Sequence, residues 1–129
     1  MYQIDIMSRK PLYEQLVEQV ERFVLRGVLA AEEQMPSVRG LSEELSVNPN
    51  TVQKAYSELD RRGIVYSVPG KGCFISPNAR TFIGNRREGE LSQLTEEIYD
   101  LALAGITRER VIGCVDEAYR KKGENDDPS

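Results

Sequence analysis

Met35-Pro-Ser-Val-Arg-Gly-Leu-Ser-Glu-Glu-Leu-Ser-Val-Asn-Pro-Asn-Thr-Val-Gln-Lys-Ala-Tyr-Ser-Glu-Leu-Asp-Arg-Arg-Gly63 decides the fold. The stretch reads as helix, tight turn, helix. Ser37 is a good N-cap, and Pro36 before it separates the first helix from what precedes. Val38, Leu41 and Leu45 recur at helical spacing as one apolar stripe. Ser46-Val47-Asn48-Pro49 interrupts it. Asn48 can cap the next helix, and Pro49 suits a first helical position, where no N–H is needed. Val52, Ala55, Tyr56 and Leu59 follow at i, i+3, i+4 and i+7 and make a buried face.

The opposite face of that second helix, expected over 49–62, is polar. Asn50, Gln53, Lys54 and Ser57 share it, with no acidic group before Glu58. Asn and Gln amides match the edge of adenine, and a lysine can meet a phosphate or a guanine. Thr51, in the first turn, can offer a hydroxyl and an N–H to a phosphate, which the positive end of the helix favours. An ordinary solvated helix face would have the same amphipathic pattern. The joint before the helix and the segment after it favour nucleic acid instead.

That segment is a hairpin. Ile64-Val-Tyr-Ser-Val68 is rich in β-branched and aromatic residues, Pro69-Gly-Lys-Gly72 is a turn, and Cys73-Phe-Ile75 is a second short strand. Helix, turn, helix and a two-stranded ribbon make a winged helix-turn-helix. The tip Gly70-Lys71-Gly72 carries little bulk beyond one cation, so its backbone can approach a sugar-phosphate chain closely.

Met-Pro-Ser-Val-Arg (35–39), Val-Asn-Pro-Asn-Thr-Val (47–52), Ala-Tyr-Ser-Glu-Leu (55–59), Gly-Ile-Val (63–65) and Gly-Lys-Gly-Cys-Phe-Ile (70–75) resemble the DNA-binding domain of GntR-family bacterial transcription regulators. Pro11-Leu-Tyr-Glu-Gln-Leu is similar to that family's first helix. The resemblance implies that Arg39 contacts DNA from the start of the first motif helix. It implies that Asn50, Thr51, Gln53 and Lys54 meet the major groove and its phosphates, and that Gly70, Lys71 and Gly72 touch the adjacent minor groove. Ser37, Asn48 and Tyr56 complete the candidate DNA-binding set, although Tyr56 also falls on the apolar stripe. The chain departs from the family pattern at Gly40, where an acidic residue is usual, and at Ala31-Glu32, where Pro-Gly is common. Met35 replaces the usual Leu, and Cys73 the usual Thr.

A length of 129 residues allows one compact domain with an appendage. The expected architecture is mainly α with a small β-hairpin: a winged helix-turn-helix domain over 1–78, then a two-helix appendage over 79–129. Nothing resembles a secretory signal, and no apolar run approaches the ~20 residues of a membrane span, so the expectation is a cytoplasmic protein without membrane contact. The two cysteines, Cys73 and Cys114, suit a reducing compartment as small buried thiols. Bulk charge does not advertise a nucleic-acid binder. Residues 1–78 hold nine Lys or Arg against ten Asp or Glu (−1), and the rest hold eight against eleven (−3). DNA binding would therefore rest on local arrangement, base contacts and two-fold symmetry.

Ahead of the motif, Tyr2, Ile4 and Ile6 alternate, as in a strand or extended arm laid on the body. A scaffold helix starts at Pro11, with Leu12, Leu16, Val20, Phe23 and Val24 in a stripe that ends at Gly27. Residues 28–35 read as a loop and 76–90 as a linker. Glu90 to Ala104 then reads as a helix, with Leu91, Leu94, Ile98 and Leu101 at coiled-coil seam spacing. Thr107 caps a last helix to about Lys122, with Val111, Val115, Ala118 and Tyr119 on one face, and Gly123 to Ser129 reads as a polar tail.

Two such helices are below the ~40 residues that usually need outside help to fold. They can pack back on the same chain or against a second copy. The second arrangement is favoured: a homodimer joined through Leu91, Leu94, Ile98, Leu101, Val111, Val115 and Tyr119, presenting two recognition helices to a palindromic operator. The short tail is similar to the YtrA-like branch of the GntR family, which implies dimerisation through this segment and control of neighbouring membrane-transporter genes.

The chain has no histidine, and its two cysteines make no zinc motif. Gly70-Lys-Gly72 lacks the spacing of a phosphate loop. No catalytic constellation, cofactor or metal is expected, so the leading function is a sequence-specific regulator of transcription, most simply a repressor. The alternative is a winged-helix module for protein–protein contact. Any small-molecule effector is left open.

Overall fold

The computed structural model describes residues 1–125, with side chains as far as Glu124. It contains α1 (Leu12–Leu25), α2 (Val38–Leu45), α3 (Pro49–Arg61), β1 (Val65–Val68), β2 (Gly72–Ile75), α4 (Ala79–Glu88), α5 (Leu91–Leu103) and α6 (Arg108–Asn125). They form two compact units, Met1–Gly84 and the residues from Asn85 onward.

The first unit is built on α1 and α3. Leu16, Val17, Val20 and Val24 of α1 are buried with Leu41 of α2 and with Val52, Ala55 and Leu59 of α3. Val17 joins the predicted stripe because α1 is covered on a broader arc than one heptad seam. Gly27 (φ +78) ends α1 in the left-handed conformation that favours glycine.

The N-terminal arm forms no strand, but it is laid down like one. Gln19 accepts from the Gln3 N–H (2.8 Å) and donates back to the Gln3 carbonyl. Gln15 does the same for Asp5, at 2.8 and 3.0 Å. Two amides one helical turn apart thus take the place of a partner strand. They seat Tyr2 edge-on against Phe23, with ring centroids 5.5 Å apart. Ile4 packs at the core's margin, while Ile6 turns out to water.

The helix-turn-helix forms for local reasons. The Gly40 N–H donates to Ser37 Oγ (2.9 Å) and the Asn50 N–H to Asn48 Oδ1 (2.8 Å), so both motif helices are capped as expected. Each cap contributes about 1 kcal/mol. Pro49 takes the first position of α3. Ser46 closes α2 with φ +57, which turns the chain sharply enough to start α3 three residues later.

β1 and β2 pair antiparallel, Val65 with Ile75 through Val68 with Gly72, and complete a winged helix-turn-helix. Ile64 lies just before the ladder and is wholly buried. The stretch before the motif is a loop, as expected, and its later part lines the outer edge of β2. The Met35 N–H donates to the Cys73 carbonyl (2.7 Å), the Ile75 N–H to the Glu33 carbonyl (2.9 Å), and the Glu32 N–H to the Ile75 carbonyl (2.7 Å). Entry to this pairing requires φ +71 at Glu32, where the resembling family commonly has glycine.

The expected linker over 76–90 is instead mostly helix. α4 carries Ala79 and Ile83 into the core, and Arg80 Nη1 donates to the Val24 carbonyl at the end of α1 (3.1 Å). Phe82 lies so close to Gly63 that a Cβ there would sit 2.8 Å from its ring. The first unit therefore includes residues beyond position 78.

In the second unit, Thr107 Oγ1 accepts from the Arg110 N–H (3.3 Å) at the start of α6, and α6 continues past Lys122 to Asn125. The rest of the expected tail, Asp126 to Ser129, lies outside the described residues. No residue of α5 is buried. Leu91, Leu94, Leu101, Val115 and Tyr119 are exposed, and Ile98 and Val111 are half-buried. Cys114 is exposed rather than buried; Cys73 is half-buried, and burial pushes its thiol pKa up. Among the described residues, no helix is long and apolar enough to cross a membrane.

Candidate nucleic-acid interface

Three features meet on one side of the first unit: the start of α2, the outer face of α3 and the wing turn. Neither α2 nor α3 has an acidic residue in its first turn, so the partial positive charge of both helix ends is left uncompensated. Arg39, in the first turn of α2, keeps 89% of its side chain exposed and pairs loosely with Glu43 (3.2 Å). An ion pair this exposed is worth little and exchanges readily for a phosphate.

On α3, Asn50 and Gln53 are exposed and Thr51 is half-buried. Gln53 Nε2 donates to Ser57 Oγ one turn on (3.2 Å), which orients its amide. The Thr51 N–H donates to the Asn48 carbonyl (2.9 Å), which leaves its hydroxyl as the group it can offer an anion. Lys54 leans off the polar face toward α1, with its ammonium 4.2 Å from the Tyr13 ring centroid. Tyr56 is placed differently from the other candidates. Its ring is buried, its hydroxyl donates to the Pro36 carbonyl (2.7 Å), and burial raises its pKa. It holds the entrance to α2 against α3. Ser37 and Asn48 likewise spend a side-chain oxygen on their caps.

The wing turn is fixed by its own backbone. The Lys71 N–H donates to the Val68 carbonyl (2.9 Å), and the Lys71 carbonyl accepts from Gln34 Nε2 (2.9 Å). Gly70 and Gly72 have φ of +78 and +123, and a Cβ on Gly72 would lie 2.7 Å from that same Gln34 nitrogen. An open groove of about 530 Å³ separates wing from α3, with Gln53 and Ser57 on one wall and Lys71 on the other. Asp60 also lines it, which limits how far an anion can enter.

Gln34 and Tyr13 were not singled out by sequence. Gln34 follows Glu32 and Glu33 in a polar stretch without period, and Tyr13 sits on a helix read as scaffold. Neither carries a local signal, because the partner of each is more than thirty-five residues away.

Residues 12–75 match the family model described as bacterial regulatory proteins, gntR family. The chain is 38% identical over 115 residues to the HTH-type transcriptional repressor YtrA of Bacillus subtilis, an alignment covering 86% of each chain. Among solved structures, a transcriptional regulator from Oenococcus oeni superposes with a TM-score of 0.72 at 34% identity, over 92% of this chain and 99% of that one. The AraR DNA-binding domain in complex with operator ORX1 superposes with a TM-score of 0.52 at 26% identity, over 57% of this chain and 92% of that one. The winged fold, the motif match and the near full-length similarity agree: the chain belongs to the gntR family of bacterial transcription regulators.

Proposed function

We propose that the protein is a sequence-specific repressor that binds double-stranded DNA as a homodimer at a palindromic operator. The observation that carries this reading is the pairing of an uncluttered amide face, Asn50 with an oriented Gln53, with a rigid glycine-flanked cation at Lys71 across an open groove. Amides read base edges and cations meet phosphates. Arg39, Thr51, Lys54 and Lys71, with the ends of α2 and α3, supply affinity. Asn50 and Gln53 supply specificity. Ser37, Asn48 and Tyr56 hold these groups in place, and Gly70 and Gly72 let the wing backbone approach. Operator complexes of the structurally similar AraR DNA-binding domain support DNA as the ligand of this fold.

The homodimer is supported by the second unit. Leu91, Leu94 and Leu101 of α5, with Val115 and Tyr119 of α6, are exposed in the single chain. Ile98 and Val111 stand beside them, half-buried. A second copy covers such a stripe with its own, and the two-fold axis then matches a palindrome.

The experiment is fluorescence anisotropy with duplex DNA from upstream of the protein's own gene, over a salt series, with Arg39→Ala beside the wild type. Tight, steeply salt-sensitive binding that the variant loses is expected. Weak binding that ignores both salt and Arg39 overturns the reading in favour of a protein-contact module. Light scattering on Leu94→Glu, expected to give monomer where the wild type gives dimer, tests the assembly.

A further inference from the structure

We propose that Tyr13 is a positioning residue for Lys54, so that α1, outside the helix-turn-helix, helps to build the DNA-binding surface. The inference rests on the DNA-binding reading above. A lysine on an exposed helix face ordinarily finds a carboxylate one turn away, and Glu58 stands at that position. Glu58 is already taken. Its Oε2 accepts from Arg61 Nε (2.9 Å), and its Oε1 from Arg62 Nε (2.9 Å) and from Arg61 Nη2. The Lys54 ammonium goes instead to the face of Tyr13, 4.2 Å from the ring centroid.

The difference matters for an anion. A carboxylate would hold the ammonium and cancel its charge, whereas a ring face holds it and leaves the charge whole. Tyr13 is itself held: it is half-buried against the core, and its hydroxyl donates to Glu14 Oε1 (3.2 Å). The ring therefore acts as a fixed rest on the α1 flank of α3. Gln53 and Ser57 line the groove on the wing side. Lys54 and Lys71 thus lie on opposite flanks of Gln53 and Ser57.

The test is a double-mutant cycle on the full chain. Affinity for the upstream duplex is measured by anisotropy for wild type, Tyr13→Leu, Lys54→Met and the pair together. Tyr13→Leu is expected to weaken binding about two- to fivefold per half-site when Lys54 is present, as for an exposed cation–π contact, and to change nothing when position 54 is Met. Tyr13→Phe, which keeps the ring, is expected to restore the affinity. Equal losses from Tyr13→Leu in both backgrounds, no loss in either, or failure of Tyr13→Phe to rescue would overturn the inference alone. Failure of the wild type to bind the duplex would overturn the DNA reading, and this inference with it.

Discussion

Lys71→Ala isolates one charge at the wing. The backbone of the turn is held by the Val68 carbonyl and by Gln34 Nε2, each at 2.9 Å, and neither bond uses the lysine side chain. Alanine at position 71 therefore leaves the wing where it is and removes only the cation. Each phosphate neutralised contributes about 0.9 to the slope of log K against log salt, and the proposed dimer would present two wings, so the slope should flatten by about 1.8. Between about 50 and about 200 mM salt, a fourfold change, the ratio of wild-type to variant affinity should then fall by about twelvefold. Anisotropy titrations at four or five salt concentrations, on specific and on scrambled duplexes, measure this directly. The loss should be alike on both duplexes, since a phosphate contact carries no sequence information. A change of only about 0.9 would mean that one wing engages. An unchanged slope, or a loss confined to the specific duplex, would refute the assignment of Lys71 to phosphate.

Gln53→Ala should cost about 1–3 kcal/mol of discrimination at one base pair of each half-site, read by competition with singly substituted duplexes, and barely change binding to scrambled DNA. Arg61 and Arg62 hold the Glu58 carboxyl down at about 2, below its ordinary 4.5. Its contribution to stability is therefore present above pH 4.5 and lost as pH falls toward 2. Urea midpoints should drop less over that window in Glu58→Gln than in the wild type, with the variant the less stable of the two at pH 7. Glu32→Gly should stabilise the first unit by about 0.5–1 kcal/mol, because it relieves a left-handed residue at the cost of a more flexible unfolded chain. Calorimetry should show a rise in Tm of roughly 2–8 °C, and a fall would refute the strain argument.

Where structure is set within a few residues, the sequence was legible. Ser37, Asn48 and Pro49 mark helix starts by their own chemistry, and the spacing of Val52, Ala55 and Leu59 reports which side of α3 is buried. α4 escaped because Ala79, Phe82 and Ile83 are too few to show a period. Its stability comes from distant partners, Gly63 for Phe82 and the Val24 carbonyl for Arg80. The pairing of residues 32–35 along β2 was hidden for the same reason. Backbone bonds carry no side-chain signature, and the strand they join lies about forty residues on. At the interface, the polar face of α3 was plain, but not the state of its members. Tyr56 faces the core and a carbonyl twenty residues back, and Lys54 rests on a ring in another helix.

The arm that Gln15 and Gln19 hold against α1 makes the two ways of editing the beginning of the chain unequal. Met1 is exposed, so a fusion tag or leader added ahead of it meets only water. A shortened chain begun at the internal Met7 would keep every helix and both strands, yet it would lack Tyr2 and Ile4. The seat against Phe23 would be empty and two glutamine side chains would lose the backbone they clasp. Beginning the chain at Met7 would amount to a core deletion, even though the residues removed belong to no regular element.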